Sequence, residues 1–118
     1  MDKKEKYKHS PFDEEMYDAM YGYNIKNPTL EKFNLIDIRI MSLIHSYDFS
    51  DQIFFASNQY IADKCFATAP TIQKSVNKLL AHKLITKDVH CINGIKKRTL
   101  SYNDEEAKKF KQANTIIK

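Results

Sequence analysis

Apolar positions recur at helical spacing in three stretches of the chain. In residues 35–47, apolar side chains recur three or four positions apart, as on one face of a helix. A short helix is predicted over residues 58–65 with Ser57 as its N-cap. A third is predicted over residues 68–82, with Thr68 as its cap and Pro70 in its first turn. The buried stripe of this third helix consists of Ile72, Val76, Leu79 and Leu80.

The pattern changes to that of β-strands after residue 83. Residues 84–92 and 95–102 are predicted strands, and Asn93-Gly94 between them is a strong signal for a two-residue hairpin turn. Such a turn would place apolar and basic residues on one face of the hairpin, namely Ile85, Val89, Leu100, Tyr102, Lys96 and Arg98. A further short strand is predicted at Ile53-Phe54-Phe55, as one edge of a small sheet.

The N-terminal region carries an aromatic stripe that needs a cover. Residues 1–9 are mixed in charge, and a helix is predicted to start at Ser10, with Gly22 and Asn27-Pro28 ending it. Either the rest of the domain or a second subunit must cover the stripe, and we favour a homodimer. The candidate dimer contacts are Phe12, Met16, Tyr17, Met20 and Tyr21.

The whole pattern divides the chain into three parts. Residues 1–27 form an N-terminal extension with an amphipathic helix, residues 28–103 form the main domain, and residues 104–118 form a charged tail, for which a frayed helix is one interpretation. The chain has 118 residues, which suits one domain with a modest core. The fold class is therefore mainly α with a small β-sheet.

Composition narrows the cellular setting. The sequence contains no apolar run long enough to cross a bilayer and does not begin with the pattern of a signal peptide, so we expect a cytoplasmic protein. The two cysteines, Cys65 and Cys91, fit a compartment where thiols stay reduced.

Charge is distributed unevenly along the chain. The net charge is +4, with 8 basic against 11 acidic residues in positions 1–68 and 7 against 1 in positions 69–103. A basic second half indicates an anionic partner, although a basic face that only contacts solvent is the alternative.

The order of predicted elements indicates one architecture. Two helices joined by about three residues cross steeply, and a third helix precedes them while a hairpin follows. This order is typical of a winged helix-turn-helix, here with an N-terminal helical extension.

One set of residues within 35–102 follows a known sequence pattern, namely Phe55-Ala56-Ser57-Asn58, Ile61-Ala62, Thr68, Thr71-Ile72, Val76, Leu79 and Leu84-Ile85. Through these residues the sequence resembles the winged helix-turn-helix domains of phage and plasmid replication proteins. Three residues differ from the family pattern: Lys83 and Phe66 stand where glycines are usual, and Pro70 replaces a common basic residue. The N-terminal extension is similar to the additions of DnaD-type primosomal proteins.

The resemblance implies binding of double-stranded DNA, with residues 68–82 in the major groove and a wing at 92–98 on the backbone. Side chains of the expected types are present, because amides can pair with adenine and lysines suit phosphate or guanine. The candidate DNA-binding residues are Ser57, Asn58, Thr68, Thr71, Gln73, Lys74, Asn77, Lys78, Lys96, Lys97 and Arg98. The resemblance further implies a role in replication initiation or its control, or else in transcription regulation or conjugation.

Catalysis finds little support in the sequence. With only Gly22 and Gly94, the chain lacks a glycine-rich phosphate loop, and His82, His90 and Cys91 lack a fourth ligand at zinc spacing. We therefore expect no enzyme, cofactor or metal. A protein–protein adaptor without DNA binding remains the alternative from a different functional class.

Overall fold

A computed structural model describes residues 14–50, 52–55 and 57–115 of the chain. Within these ranges the protein is mainly helical with one two-stranded antiparallel sheet, which confirms the coarse fold class. The elements are α1 (Glu14–Lys26), α2 (Leu35–Phe49), α3 (Asn58–Cys65), α4 (Ala69–Ala81), β1 (Ile85–Ile92), β2 (Ile95–Tyr102) and α5 (Asp104–Asn114).

Helix α2 lies at the centre of the molecule because both of its long sides are apolar. It contacts α1, α3, α4 and β2. Its first turn is fixed by a capping box, in which the Asn34 side chain accepts from the Asp37 N–H and the Asp37 carboxylate accepts from the Asn34 N–H. The helix extends two residues beyond the predicted 35–47 range. Its fully buried core residues include Ile40, Met41 and Ile44.

Helices α3 and α4 begin and end where the sequence predicts. Ser57 caps α3 by accepting from the Tyr60 N–H at 3.1 Å. Thr68 occupies the N-cap position of α4, but its hydroxyl makes no capping bond and instead lies 3.0 Å from that of Thr71. Pro70 is in the first turn of α4, and Ile72, Val76 and Leu79 are fully buried beneath it. Leu80, the fourth residue of the predicted stripe, is half-buried against the core, so the stripe is confirmed with Leu80 at its edge.

The turn between α3 and α4 has an unusual residue. Phe66 ends α3 with φ 55° and ψ 49°, the left-handed conformation that glycine adopts most readily. Its aromatic side chain is 87% exposed. The backbone is therefore strained at this turn, and burial of the Phe66 ring does little to offset the strain.

The hairpin has the two-residue turn predicted from Asn93-Gly94. Both turn residues have positive φ, 53° and 78°, as a type I′ turn requires. The register pairs Ile85 with Tyr102 and Ile92 with Ile95, so the predicted shared face is confirmed. The prediction of a third strand at residues 53–55 was wrong in extent, because Phe55 forms only an isolated bridge to Thr99.

The N- and C-terminal helices pack against each other beside the central helix. Met16, Ala19 and Met20 of α1 are fully buried, and Ala107 of α5 is almost fully buried. Helix α1 continues through Gly22, which was predicted to end it. Its predicted start at Ser10 lies outside the described residues. Residues 104–114 of the charged tail do form a helix, but it is capped and docked on α1 and therefore not frayed over this range.

Within the described residues, none of the helices has the length and apolar character needed to cross a lipid bilayer.

Candidate functional site

The outward side of α4 is polar between the two ends of the helix, where Pro70 and Ala81 are also exposed. Its exposed polar side chains are those that the sequence predicts as DNA-binding residues, with the exception of one lysine. Since α4 places every third or fourth residue on one side, these side chains form a continuous surface next to the buried stripe. The exposed polar residues are Thr71, Gln73, Lys74 and Asn77, and Thr68 is exposed just before the helix.

Three amides on this surface are joined into a chain of hydrogen bonds. Asn58 Nδ2, at the start of α3, donates to Gln73 Oε1 at 2.6 Å. Gln73 Nε2 in turn donates to Asn77 Oδ1 at 2.8 Å, one helical turn further along α4. The start of α3 is thereby linked directly to the outward face of α4, and two predicted site residues, Asn58 and Gln73, are brought together.

Lys78 does not belong to the exposed surface. Its ammonium nitrogen lies 2.7 Å from the Asp37 Oδ2 and 3.0 Å from the Lys32 carbonyl oxygen, and its side chain is only 9% exposed. Asp37 is fully buried at the start of α2. The placement of Lys78 among the DNA-binding residues is therefore corrected, because its charge already pairs with a carboxylate inside the domain.

The basic residues of the hairpin have two different environments. Lys96 and Lys97 are exposed near the turn, whereas Arg98 is half-buried nearer the body of the protein. Burial lowers the pKa of the Arg98 guanidinium below its usual value. Strand β2 thus presents two exposed lysines near the turn and one partly desolvated arginine nearer the body of the protein.

An open groove of about 600 Å³ lies between the hairpin and the start of α3. One wall carries the basic residues of β2, and the other carries the N-terminal end of α3, whose backbone N–H groups add positive potential. Two aromatic rings, partly exposed, complete the lining. The groove is lined by Phe55, Ser57, Asn58, Tyr60, Lys96, Lys97 and Arg98.

One residue of α3 links the groove to the outward face of α4. Asn58 lines the groove and also donates to Gln73 of α4. Ser57, the neighbouring candidate, is exposed, but its hydroxyl already caps α3. Residues from three separate parts of the sequence therefore form a single polar and basic surface, extending from α4 across the start of α3 to β2.

Sequence reasoning did not predict that the apolar residues near the hairpin turn are exposed. Ile92 and Ile95 pair across the strands and are 40% and 61% exposed, and Val89 is also exposed. The eight-residue strands project beyond the core, since only Ile85 of β1 is buried. The signal was in the sequence, because apolar residues flank Asn93-Gly94 on both sides.

The stripe of candidate dimer contacts is divided between core and surface. Met16 and Met20 are fully buried in the chain's own core, so a partner could not reach them without displacing α1. Tyr17 and Tyr21 are exposed. Phe12 lies outside the described residues. Among the described members of the stripe, the tyrosines are the ones that a partner could contact.

The histidines and cysteines are dispersed. His82 lies in an aromatic cluster with Tyr23 and Phe33, and His90 is on the hairpin, 3.3 Å from the Thr99 hydroxyl. Cys65 is buried, which raises the pKa of its thiol, whereas Cys91 is exposed. Among the residues that the structure describes, no three His, Cys, Asp or Glu side chains are grouped closely enough to hold a metal ion.

Comparison with protein-family models, with curated proteins and with solved structures found no match to this chain.

Proposed function

We propose that the protein is a winged helix-turn-helix protein that binds double-stranded DNA without catalysis. In this proposal α4 enters the major groove, and the β1–β2 hairpin serves as the wing. The observation that carries it is the continuous surface described above, in which exposed polar side chains of α4 adjoin a groove with basic walls. A solvated face without a partner would not require three separate parts of the chain to converge in this way.

The elements that form the surface suit a duplex. The major groove of B-DNA is about 12 Å wide and admits one helix, whose exposed polar residues reach base edges. Amides near the start of α4, such as Gln73, suit this task. A DNA strand that borders the major groove would then pass through the protein's own groove, between the start of α3 and β2. There the helix N–H groups and the side chains of Lys96 and Lys97 favour negative charge.

Charge along the chain supports the same partner. Residues 69–103, which include α4 and the hairpin, carry 7 basic residues and 1 acidic residue. Lys78 is already paired with Asp37, so the exposed charge comes mainly from Lys74 and the hairpin lysines. Phosphate contacts of this kind provide sequence-independent affinity, and the amides of α4 provide the sequence preference.

The biological role is proposed from the resemblance to phage and plasmid replication proteins. We place the protein in the initiation or control of replication of such an element, acting in the cytoplasm. Transcription regulation and conjugation use the same chemistry of duplex binding. Footprinting on the DNA of the element of origin distinguishes these roles, since an origin, a promoter and a transfer site differ in position.

The test is a salt titration of duplex binding. Purified protein is titrated onto a labelled random-sequence duplex, and fluorescence anisotropy gives the affinity at several salt concentrations. We expect log K to fall linearly with log salt, because bound phosphates release counterions. Selection from a random duplex library then gives the preferred site. Absence of duplex binding at low salt would contradict the proposal.

An adaptor function is the second candidate, and one observation favours it. Tyr17, Tyr21 and Leu35 are exposed around a second groove of about 310 Å³ between α1 and the start of α2. Exposed aromatic surface of this kind is common where proteins bind each other. A protein that failed to bind any duplex, yet self-associated or captured a partner through Tyr21, would have this function instead.

A further inference from the structure

The amide chain between α3 and α4 constrains Gln73 more than any other exposed residue of α4. Asn58 donates to its carbonyl oxygen, and Asn77 accepts from its amide nitrogen. Asn58 is 15 positions earlier in the sequence and belongs to a different helix. The side-chain amide of Gln73 is therefore held at its oxygen by a residue of α3 and at its nitrogen by a residue of α4.

Counting hydrogen-bonding groups shows what this leaves for a ligand. A glutamine amide has two N–H donors and two acceptor lone pairs on its oxygen. The chain uses one donor and one lone pair, so one of each remains. Reversing the direction of the chain, with all three amides turned over, gives the same remainder, and the conclusion does not depend on which way the amides are turned.

One donor beside one acceptor is the pattern that adenine matches in the major groove. Adenine presents the N7 acceptor and the N6 amino donor on that edge, and glutamine binds both at once. A guanine edge offers two acceptors, N7 and O6, which a glutamine amide held in this way cannot match. The remaining groups of Gln73 therefore favour adenine over guanine.

Resting on the proposed function, we propose that Gln73 reads an adenine and that Asn58 is the positioning residue that fixes it for this reading. An exposed glutamine samples many rotamers, and ordering them on binding weakens the interaction. The bond from Asn58 orders the side chain in the free protein. Asn58 therefore controls sequence preference without touching the base.

The experiment measures base preference in variants of the intact chain. The preferred site is selected with the unmodified protein, and each position is then replaced in turn to find the adenine whose preference Gln73→Ala abolishes. We expect Asn58→Ala to reduce the preference for that adenine about threefold to tenfold, the range expected when a side chain is no longer ordered in advance but still reaches the base. Because Asn58 also lines the groove, the quantity compared is the ratio of affinities for the selected site with and without that adenine, and not the affinity for a random duplex.

A matched control lies one residue away on the same helix. Gln59 is also an exposed amide, but it donates to Asp63 at 2.9 Å, within α3. Gln59→Ala should leave the adenine preference unchanged. The double variant Asn58→Ala with Gln73→Ala should show no greater loss of preference than Gln73→Ala alone, because Asn58 acts only through Gln73. Asn58→Ser, too short to reach Gln73, repeats the test if Asn58→Ala does not fold.

Three results would overturn the assignment. Unchanged adenine preference in Asn58→Ala and Asn58→Ser, with Gln73→Ala losing it, would show that Gln73 needs no positioning. An equal loss of affinity for every duplex would make Asn58 a backbone contact. A Gln73→Ala variant that keeps every base preference would show that Gln73 does not recognise a base. In all three cases duplex binding persists, whereas failure of the proposed function is seen as absence of binding by the unmodified protein.

Discussion

A single lysine shows most clearly how a side chain with the expected chemistry can serve another purpose. Lys78 repeats at the helical spacing of Lys74, so the sequence places both on the outward face of α4. Its carboxylate partner, Asp37, lies 41 positions earlier. Because this pairing depends on how two helices pack, local pattern alone could not predict it.

We therefore expect Lys78→Ala to affect stability more than DNA binding. Removing the ammonium leaves the fully buried Asp37 carboxylate without its ion partner, and such a loss costs about 3 kcal/mol of unfolding free energy. Lys74→Ala, on the exposed face, should change stability by less than about 0.5 kcal/mol but weaken duplex binding. Urea denaturation and anisotropy measure the two effects. Equal stability of the two variants would contradict the role assigned to the ion pair.

Phe66 gives a prediction of the opposite sign. Its positive φ costs a residue with a Cβ roughly 1–2 kcal/mol, and the 87% exposed ring recovers little by burial. Phe66→Gly should stabilise the protein by about 0.5–1 kcal/mol, after the greater freedom of glycine in the unfolded chain is subtracted. Phe66→Ala, which keeps the Cβ, is the control and should not stabilise. The midpoint of urea unfolding decides between these outcomes.

At the scale of secondary-structure elements, the sequence predicted the features that depend on neighbouring residues. The starts of α3 and α4 follow from the Ser57 cap and from Pro70 in the first turn, and the hairpin register follows from Asn93-Gly94. These features depend on residues within a few positions of each other. The outcomes that depended on distant packing were missed, including the docking of α5, whose sequence is mostly charged.

The same distinction applies to the candidate site. Exposure of Gln73 and Asn77 followed from the periodicity of α4, because the apolar stripe opposite them fixes which side faces solvent. The bond from Asn58 to Gln73 could not be predicted, since it requires the crossing of α3 and α4 to bring two amides within 2.6 Å.

The hairpin provides the prediction at this scale. Replacing Lys96 and Lys97 with Ala together should lower the affinity for every duplex about equally and reduce the salt slope by about 2, since each lysine would no longer neutralise one phosphate. Arg98 is kept, because its half-buried position ties it to the body of the protein. The control is Lys108→Ala with Lys109→Ala on α5. If the hairpin variant and the α5 variant are weakened by the same amount, net charge and not the hairpin is responsible.

At the scale of the whole molecule, an aromatic cluster joins four parts of the chain. Tyr23 of α1, Phe33 before α2, His82 after α4 and Phe110 of α5 pack with ring centroids 4.7–5.8 Å apart. Burial lowers the pKa of His82 below its usual value of about 6.5, with Lys78 contributing and the carboxylates of Glu31 and Asp37 opposing. The folded protein therefore prefers the neutral ring.

Stability should accordingly fall in mild acid. The unfolded chain binds a proton at His82 before the folded chain does, so the stabilising contribution is complete above about pH 6.5 and is lost as pH falls toward the lowered pKa. Urea unfolding of the unmodified protein and of His82→Gln at pH 7.5 and pH 5.5 tests this. The difference between the two proteins should shrink at the lower pH. His90→Gln on the exposed hairpin is the control, and a constant difference for His82→Gln would contradict the assignment.

Whether the protein is a monomer or a dimer depends on whether α1 covers its own core or that of a second subunit. Met16 and Met20 are buried within the chain, and Asn24 both donates to and accepts from the Phe33 backbone, at 2.9 and 2.8 Å. Lys26 donates to the Ala113 carbonyl of α5. These contacts are those of a helix that covers its own core, the competing explanation for the aromatic stripe.

Deleting residues 1–27 should therefore destabilise the protein and not release a stable monomer. The deletion removes the cover from the apolar sides of α2 and α5, and it exposes surface that favours aggregation. Tyr21→Ala, which changes only an exposed side chain, should leave stability nearly unchanged and serves as the control. Circular dichroism and light scattering measure folding and mass. A folded, soluble deletion variant that is monomeric, where the intact protein is a dimer, would instead establish that α1 is a dimer helix.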